Sequence, residues 1–168
     1  MSTATTARSP QLKLKLDSRE PDPASHWQEG AALAYLGGRL RLVLGTRHKD
    51  AVHEGDTLDL PLPPQATARQ IQDRAEAWLR QEAKRILQQV IAQKSALAGR
   101  HAPRLALSFS ARGHWVEVQD CASLRCNWRL IEQPLPVIEQ AIARAIAALP
   151  EDDRGFDLFG APPLTPAT

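Results

Sequence analysis

The sequence predicts an α+β fold in which a small mixed or antiparallel sheet of about five strands packs against two helices. Several short segments alternate apolar and polar residues, which is typical of strands buried on one face. One long and one shorter segment repeat apolar residues every three or four positions, as amphipathic helices do. The chain has 168 residues, of which 43% are hydrophobic, and these values predict a single domain with its own core.

Both ends of the chain are predicted to be disordered, and the domain is expected to span residues 26–150. Residues 1–25 and 151–168 are rich in proline, small polar residues or charge, so they offer little apolar surface to offset the entropy of ordering. Residues 12–16, with the sequence LKLKL, are an exception in this leader. Their strict alternation suits a short strand with three leucines on one face, or equally a remnant without a partner.

The predicted strands lie before and after the long helix along the chain, and they are expected to form one small sheet. Residues 35–44 form two apolar runs on either side of Gly37 and Gly38, which predicts a β-hairpin turning at the two glycines. Residues 56–62 alternate again, and the prolines at and after Pro61 predict an edge strand that then ends. Three more strands are predicted near residues 105–109, 115–118 and 125–131.

Two helices are predicted from periodicity and from their end signals. Thr67 and Gln70 fit a capping box at the start of the first helix, which should end at Gly99. Its predicted core stripe comprises Ile71, Ala75, Trp78, Leu79, Ile86, Leu87, Val90 and Ile91. The second helix is predicted over about residues 134 to 149, opened by Pro134 and closed before Pro150.

Composition excludes some classes of protein and leaves others open. Lys plus Arg number 21 against 19 Asp plus Glu, so the net charge of +2 does not predict nucleic-acid binding. A basic module using Arg80, Lys84 and Arg85 on the long helix is a weaker alternative. No apolar run reaches the length of a membrane-spanning helix and no signal-peptide core is visible, so a cytoplasmic protein without membrane association is expected.

One segment of the second half resembles a known family. The stretch Asn127-Trp128-Arg129-Leu130 resembles the strand that leads into the metal-binding helix of the YgjP-like metallopeptidases, a zincin-related group. Earlier positions also match that family, among them a Tyr-Leu-Gly hairpin beginning at Tyr35. Of the family's Arg-Trp-Gly-Ser-Cys loop only Trp115 is retained. The resemblance implies a zincin-like fold, a zinc cofactor and peptidase activity.

The family's His-Glu-x-x-His motif is absent from this chain. In that motif two imidazoles four residues apart hold zinc on one helix face, and the glutamate activates a water molecule. Counted from Asn127, the three positions fall on Arg144, Ala145 and Ala148, and the third ligand of the family would lie near Arg154. No histidine follows His114. We therefore expect no bound cofactor and no peptidase activity.

Several interpretations follow from this loss. Arg144 either replaces the positive charge that zinc supplied to the core or simply points to solvent. The domain is expected to be an inactive, metallopeptidase-like protein with a structural role or one that binds a peptide or protein, although the sequence does not identify that partner. The alternative is a metal-dependent hydrolase with a rebuilt site, for which Cys121, Cys126 and His114 are the candidate ligands. The dispersed aromatics, Trp27, Tyr35, Trp78, Trp115 and Trp128, are predicted to be core anchors.

Overall fold

A computed structural model describes residues 26–151, and it confirms the α+β class. The predicted disorder of residues 1–25 and of the tail beyond Glu151 lies outside the described residues and stays a prediction. The described elements are β1 (Ala32–Tyr35), β2 (Gly38–Gly45), β3 (Val52–Glu54), β4 (Thr57–Pro61), α1 (Ala68–Leu97), β5 (Arg104–Ser108), β6 (Val116–Asp120), β7 (Ser123–Asn127), a 3-10 helix (Trp128–Glu132) and α2 (Leu135–Ala148).

The strands form two sheets rather than the single sheet of about five strands that was expected. Four strands make the first sheet in the order β1-β2-β4-β3, and three make the second in the order β5-β7-β6. Alternation along one strand reveals which face is buried. It carries no information on which strands pair, so it could not show that the strands divide into two sheets.

The hairpin between β1 and β2 is confirmed, but its turn lies one residue earlier than predicted. Leu36 has a φ of +47° and Gly37 a φ of +78°, while Gly38 already pairs with Tyr35 in the ladder. Positive φ at both central residues is the feature of the type I′ turn, whose twist matches that of antiparallel strands. The turn is therefore Leu36–Gly37, with a leucine in a backbone region that leucine rarely adopts.

The prediction that residues 56–62 form an edge strand is wrong. β4 lies inside the sheet, parallel to β2 and antiparallel to β3, and its Leu58 and Leu60 are fully buried. Pro61 is the last residue of β4, so its missing N–H does not interrupt the ladder within the strand. The covering strand β3 has only three residues, too few for an alternating pattern to be recognised in the sequence.

The long helix α1 follows the prediction closely. Thr67 and Gln70 form the capping box, with both reciprocal hydrogen bonds present. At the other end Gly99 has a φ of +64°, and its N–H donates to the carbonyl of Ala96. The N–H of Arg100 donates to the carbonyl of Ser95. These bonds are those of a Schellman motif. Every residue of the predicted stripe is buried, so α1 supplies one wall of the core.

The second predicted helix is confirmed as α2, and it packs against α1. Ile138, Ile142 and Ile146 are buried on one face. Lys94 of α1 lies 3.4 Å from the carboxylate of Glu139. These contacts fix which side of α2 faces the core and therefore which side remains available for a site.

The strand predicted for residues 125–131 is too long. β7 ends at Asn127, and the chain continues as the 3-10 helix, whose Leu130 and Ile131 are buried. The side-chain oxygen of Asn127 accepts a hydrogen bond from the N–H of Arg129, 3.0 Å away. Because this bond caps the 3-10 helix, it turns the chain away from the sheet at that residue.

Candidate functional site

The three positions at which the family resemblance places metal ligands lie on α2, and of these Ala145 borders the buried isoleucine face and packs against the core. Arg144 and Ala148 are exposed and Ala145 is half-buried. Residues 144 and 148 are four apart and so share a helix face, as the zinc motif requires. Guanidinium and methyl groups do not coordinate zinc, so these side chains do not fit the metal that the family resemblance implies.

The exposure of Arg144 decides between its two interpretations. An exposed guanidinium is solvated and does not supply positive charge inside the core, so the hypothesis that Arg144 replaces zinc within the core is wrong. Arg154, the position expected for the third ligand, lies outside the described residues.

The candidate ligands for a rebuilt metal site are not brought together. Cys126 is fully buried in β7, and this burial raises the pKa of its thiol to about 12, whereas Cys121 and His114 are exposed. Between residues 26 and 151 no group of three or more His, Cys, Asp or Glu side chains is placed to share a metal ion. The described part of the chain therefore does not support the alternative of a rebuilt metal site.

The family-motif residue Asn127 anchors the loop between β5 and β6. Its side-chain amide donates to the carbonyl of Ser110 at 2.9 Å. Its backbone N–H donates to the carbonyl of Trp115, also at 2.9 Å. With the bond from Arg129 N–H, one buried residue joins both ends of this loop to the 3-10 helix. This role explains why an asparagine suits this position even where no metal ligands follow.

Trp128 and Arg129 form part of a stack of aromatic and cationic side chains. The Trp128 ring is buried, with the guanidinium carbons of Arg80 and Arg129 lying 5.5 and 5.6 Å from its centroid. Arg80 also lies 5.2 Å from the ring centroid of Phe109. These distances are those of cation–π contacts, so the exposed arginine side chains cover the aromatic core.

The retained hairpin rests on the 3-10 helix. The N–H groups of Leu36 and Gly37 donate to the carbonyls of Ile131 and Glu132 at 2.8 and 3.0 Å. A Cβ added to Gly37 would lie 2.8 Å from Cγ of Pro134, which is closer than carbon atoms approach without a shift. The turn residues and the start of α2 therefore fix one another, which gives a physical reason for the Tyr-Leu-Gly motif.

Trp115 is not the core anchor that the sequence predicted. It is 47% exposed, and it directly precedes β6, where Val118 is 39% exposed. β6 pairs only with β7 within the described residues, so its other edge is open there, and it contacts α2. An open strand edge with exposed apolar side chains, beside α2, is a candidate binding surface, which we call the β6 edge.

A second open surface lies along β1. A cleft of about 1030 Å³ is lined by Ala31 to Ala34, by Trp27, and by residues of α1 and the 3-10 helix. Glu132 lies in this cleft, and burial raises the pKa of its carboxyl group, although Arg129 opposes the shift. Sequence analysis missed both open edges because the pairing of strands is not visible in local alternation.

Of the three α1 residues considered for nucleic-acid binding, Arg80 and Arg85 are paired with carboxylates of the same helix, and Lys84 is exposed. Arg80 pairs with Glu76 at 3.1 Å, and Arg85 pairs with Glu82 at 2.8 Å. Phosphate-binding surfaces depend on cationic side chains that are available to the ligand. The geometry thus does not favour the nucleic-acid alternative over the two strand edges.

The α+β scaffold and the motif residues together define a metallopeptidase-type domain. The model of the family described as "YgjP-like, metallopeptidase domain" matches residues 7–143, and the chain belongs to this family. The match ends one residue before Arg144. No curated protein and no solved structure matches the chain. In the part of the chain that the structure describes, no helix is long and apolar enough to cross a membrane.

Proposed function

We propose that this chain is a catalytically inactive member of its family that binds an extended peptide or protein segment along the β6 edge. The observation that carries the proposal is the open edge of β6, where Trp115 and Val118 are exposed and where the strand contacts α2. The family resemblance places the ligand positions of α2 at Arg144, Ala145 and Ala148. The scaffold around this surface is retained through Asn127 and the hairpin contacts.

The proposed mode of binding is strand addition. An extended peptide paired with β6 would satisfy its open backbone groups, and Trp115 and Val118 would provide apolar contacts beside the ladder. Without zinc ligands on α2, no group is present at those positions to activate water or polarise a scissile carbonyl. The peptide would be held without being cleaved by zinc chemistry.

A first experiment tests inactivity. Zinc content of the purified full chain is measured by mass spectrometry, and cleavage of fluorescently labelled casein is followed with added zinc. We expect zinc well below one ion per chain and no cleavage. Stoichiometric zinc together with cleavage that a chelator abolishes would overturn the assignment.

A second experiment tests binding at the β6 edge. Decapeptides selected from a phage-displayed random library on the full chain are measured for affinity by fluorescence anisotropy. Val118→Lys is expected to weaken binding about tenfold or more, because it places charge in an apolar contact. The matched control is Leu97→Lys, since Leu97 is 75% exposed at the end of α1, away from β6. Equal effects of the two substitutions, or no selected peptide, would contradict the proposal.

A further inference from the structure

The open edge of β1 has a defined hydrogen-bonding pattern. Because the N–H of Leu42 donates to the carbonyl of Ala31 and successive pairs alternate, Leu33 and Tyr35 direct their backbone groups to β2. Ala32 and Ala34 therefore direct theirs to the opposite edge. In the described part of the chain no strand pairs with β1 on that side.

This edge is bounded at one end and open along the cleft. At the far end Leu36 is already paired, since its N–H donates to the carbonyl of Ile131. Ala32 and Ala34 line the cleft of about 1030 Å³ together with Trp27. Along this edge the side chain of Leu33 is buried, whereas those of Ala32 and Ala34 are exposed. The vacant position thus suits a strand of about five residues that is apolar on one face and polar on the other.

We propose that residues 12–16 of the same chain, LKLKL, dock antiparallel along β1 and complete the first sheet as a fifth strand. The segment lies outside the described residues but inside the region that the family model matches, which begins at residue 7. The inference does not depend on the proposed function, because it concerns β1 and not β6.

Alternation fixes the register. If Lys13 lies opposite Ala34 and Lys15 opposite Ala32, their backbones meet the two open alanines and their side chains join the alanines on the exposed face. Leu14 then lies opposite the buried Leu33. A shift of one residue would expose all three leucines of the segment, so the pattern specifies this register strongly.

The tether favours the chain's own segment over a free peptide. Nine residues, 17–25, join it to His26, which lines the same cleft near Ala31. Such a linker spans roughly 30 Å at full extension, and a short linker of this kind gives an effective concentration on the order of millimolar. In the antiparallel orientation Leu16 lies opposite Ala31, so the chain returns over a short distance.

Cysteine pairs in the full chain test the register directly. In a Cys121→Ser background, Lys13→Cys with Ala34→Cys is compared with Lys13→Cys with Ala32→Cys in a glutathione buffer. Opposed residues of a hydrogen-bonded pair have Cα atoms about 5.5 Å apart, within the range of a disulfide. We expect the first pair to form an intramolecular disulfide with at least about tenfold higher effective concentration than the second. Equal yields, a preference for the second pair, or a disulfide-linked dimer would overturn the proposal.

Amide exchange gives an independent readout with a matched pair of variants. In the full chain the amides of Ala32 and Ala34 should exchange about tenfold or more slowly than unpaired amides. Leu14→Asp should remove this protection, because it places a carboxylate against the core. Lys13→Asp should retain the protection, because residue 13 would face solvent in this register. Its neighbours on that face would be Ala34 and, in the next strand, Arg39, which pairs with Ala34. Unprotected alanine amides in the wild type, or equal effects of the two variants, would contradict the assignment.

Discussion

The contact between the Leu36–Gly37 turn and the start of α2 leads to the sharpest stability prediction. Gly37→Ala has two costs. The first is a positive φ of +78°, which disfavours any L side chain by about 1 to 2 kcal/mol. The second is a new Cβ at 2.8 Å from Cγ and 3.0 Å from Cα of Pro134. Because one of these atoms is backbone, relief requires the turn to move, and overpacking of this kind costs about 1 to 3 kcal/mol.

Gly30 provides a matched control for the first cost alone. Its φ is +81°, and a Cβ added there would meet no atom within 4 Å. Gly30→Ala should therefore lower the free energy of unfolding by about 1 to 2 kcal/mol, and Gly37→Ala by about 2 to 5 kcal/mol. Part of the additional loss of stability in Gly37→Ala is expected because a shifted turn stretches the hydrogen bonds from Leu36 and Gly37 to the 3-10 helix.

The assay is urea unfolding followed by tryptophan fluorescence, with the midpoint and slope fitted for both variants and for the wild type. An excess cost of at least about 1 kcal/mol for Gly37→Ala, with unchanged slopes, is the expected result. Equal costs for the two variants within about 0.5 kcal/mol would show that the turn does not rest on Pro134, and the reasoning would fail.

Three further predictions concern the loop anchor Asn127, the two thiols and the ion pair between Glu82 and Arg85. Asn127→Ala should cost about 2 to 4 kcal/mol in urea unfolding and speed amide exchange in the loop between β5 and β6, because two side-chain hydrogen bonds are lost; an unchanged midpoint would contradict this. Ellman's reagent should modify Cys121 in the native protein but reach Cys126 only after unfolding, since burial raises the pKa of that thiol to about 12; two native thiols would refute it. The hydrogen bond from Arg85 lowers the pKa of the Glu82 carboxyl group, so this pair stabilises the fold above the ordinary carboxyl range and the stabilisation is lost as the pH falls. Glu82→Gln should therefore flatten the decline of the free energy of unfolding between about pH 5 and pH 3. Curves of stability against pH that run parallel for the variant and the wild type would argue against this.

Local periodicity and end signals allowed both helices and the identity of most core residues to be predicted. The capping box at Thr67 and the glycine at residue 99 act through bonds between near neighbours, so their residue types suffice to place the ends of α1. The α+β class and the family followed from the same local patterns. The absence of a histidine after His114 is likewise a property of the sequence alone.

Strand pairing, strand ends and the exposure of single residues were decided only by the tertiary structure. The prolines of β4 predict an edge strand, yet the three-residue strand β3 pairs with it on its outer side. β7 ends at Asn127 because that side chain bonds to the 3-10 helix and to Ser110, seventeen residues away along the chain. Trp115 was expected in the core and lies beside an open edge.

Helix α2 shows the same division. Its amphipathic character followed from the sequence alone, and the assignment of the family's ligand positions to Arg144, Ala145 and Ala148 is a prediction from the family resemblance. Only the packing of α2 on α1 decided that Arg144 faces solvent, because a helix of period 3.6 specifies its apolar face but not what its flanks meet. The flanks depend on elements distant in sequence, and their contacts form only when the chain has folded.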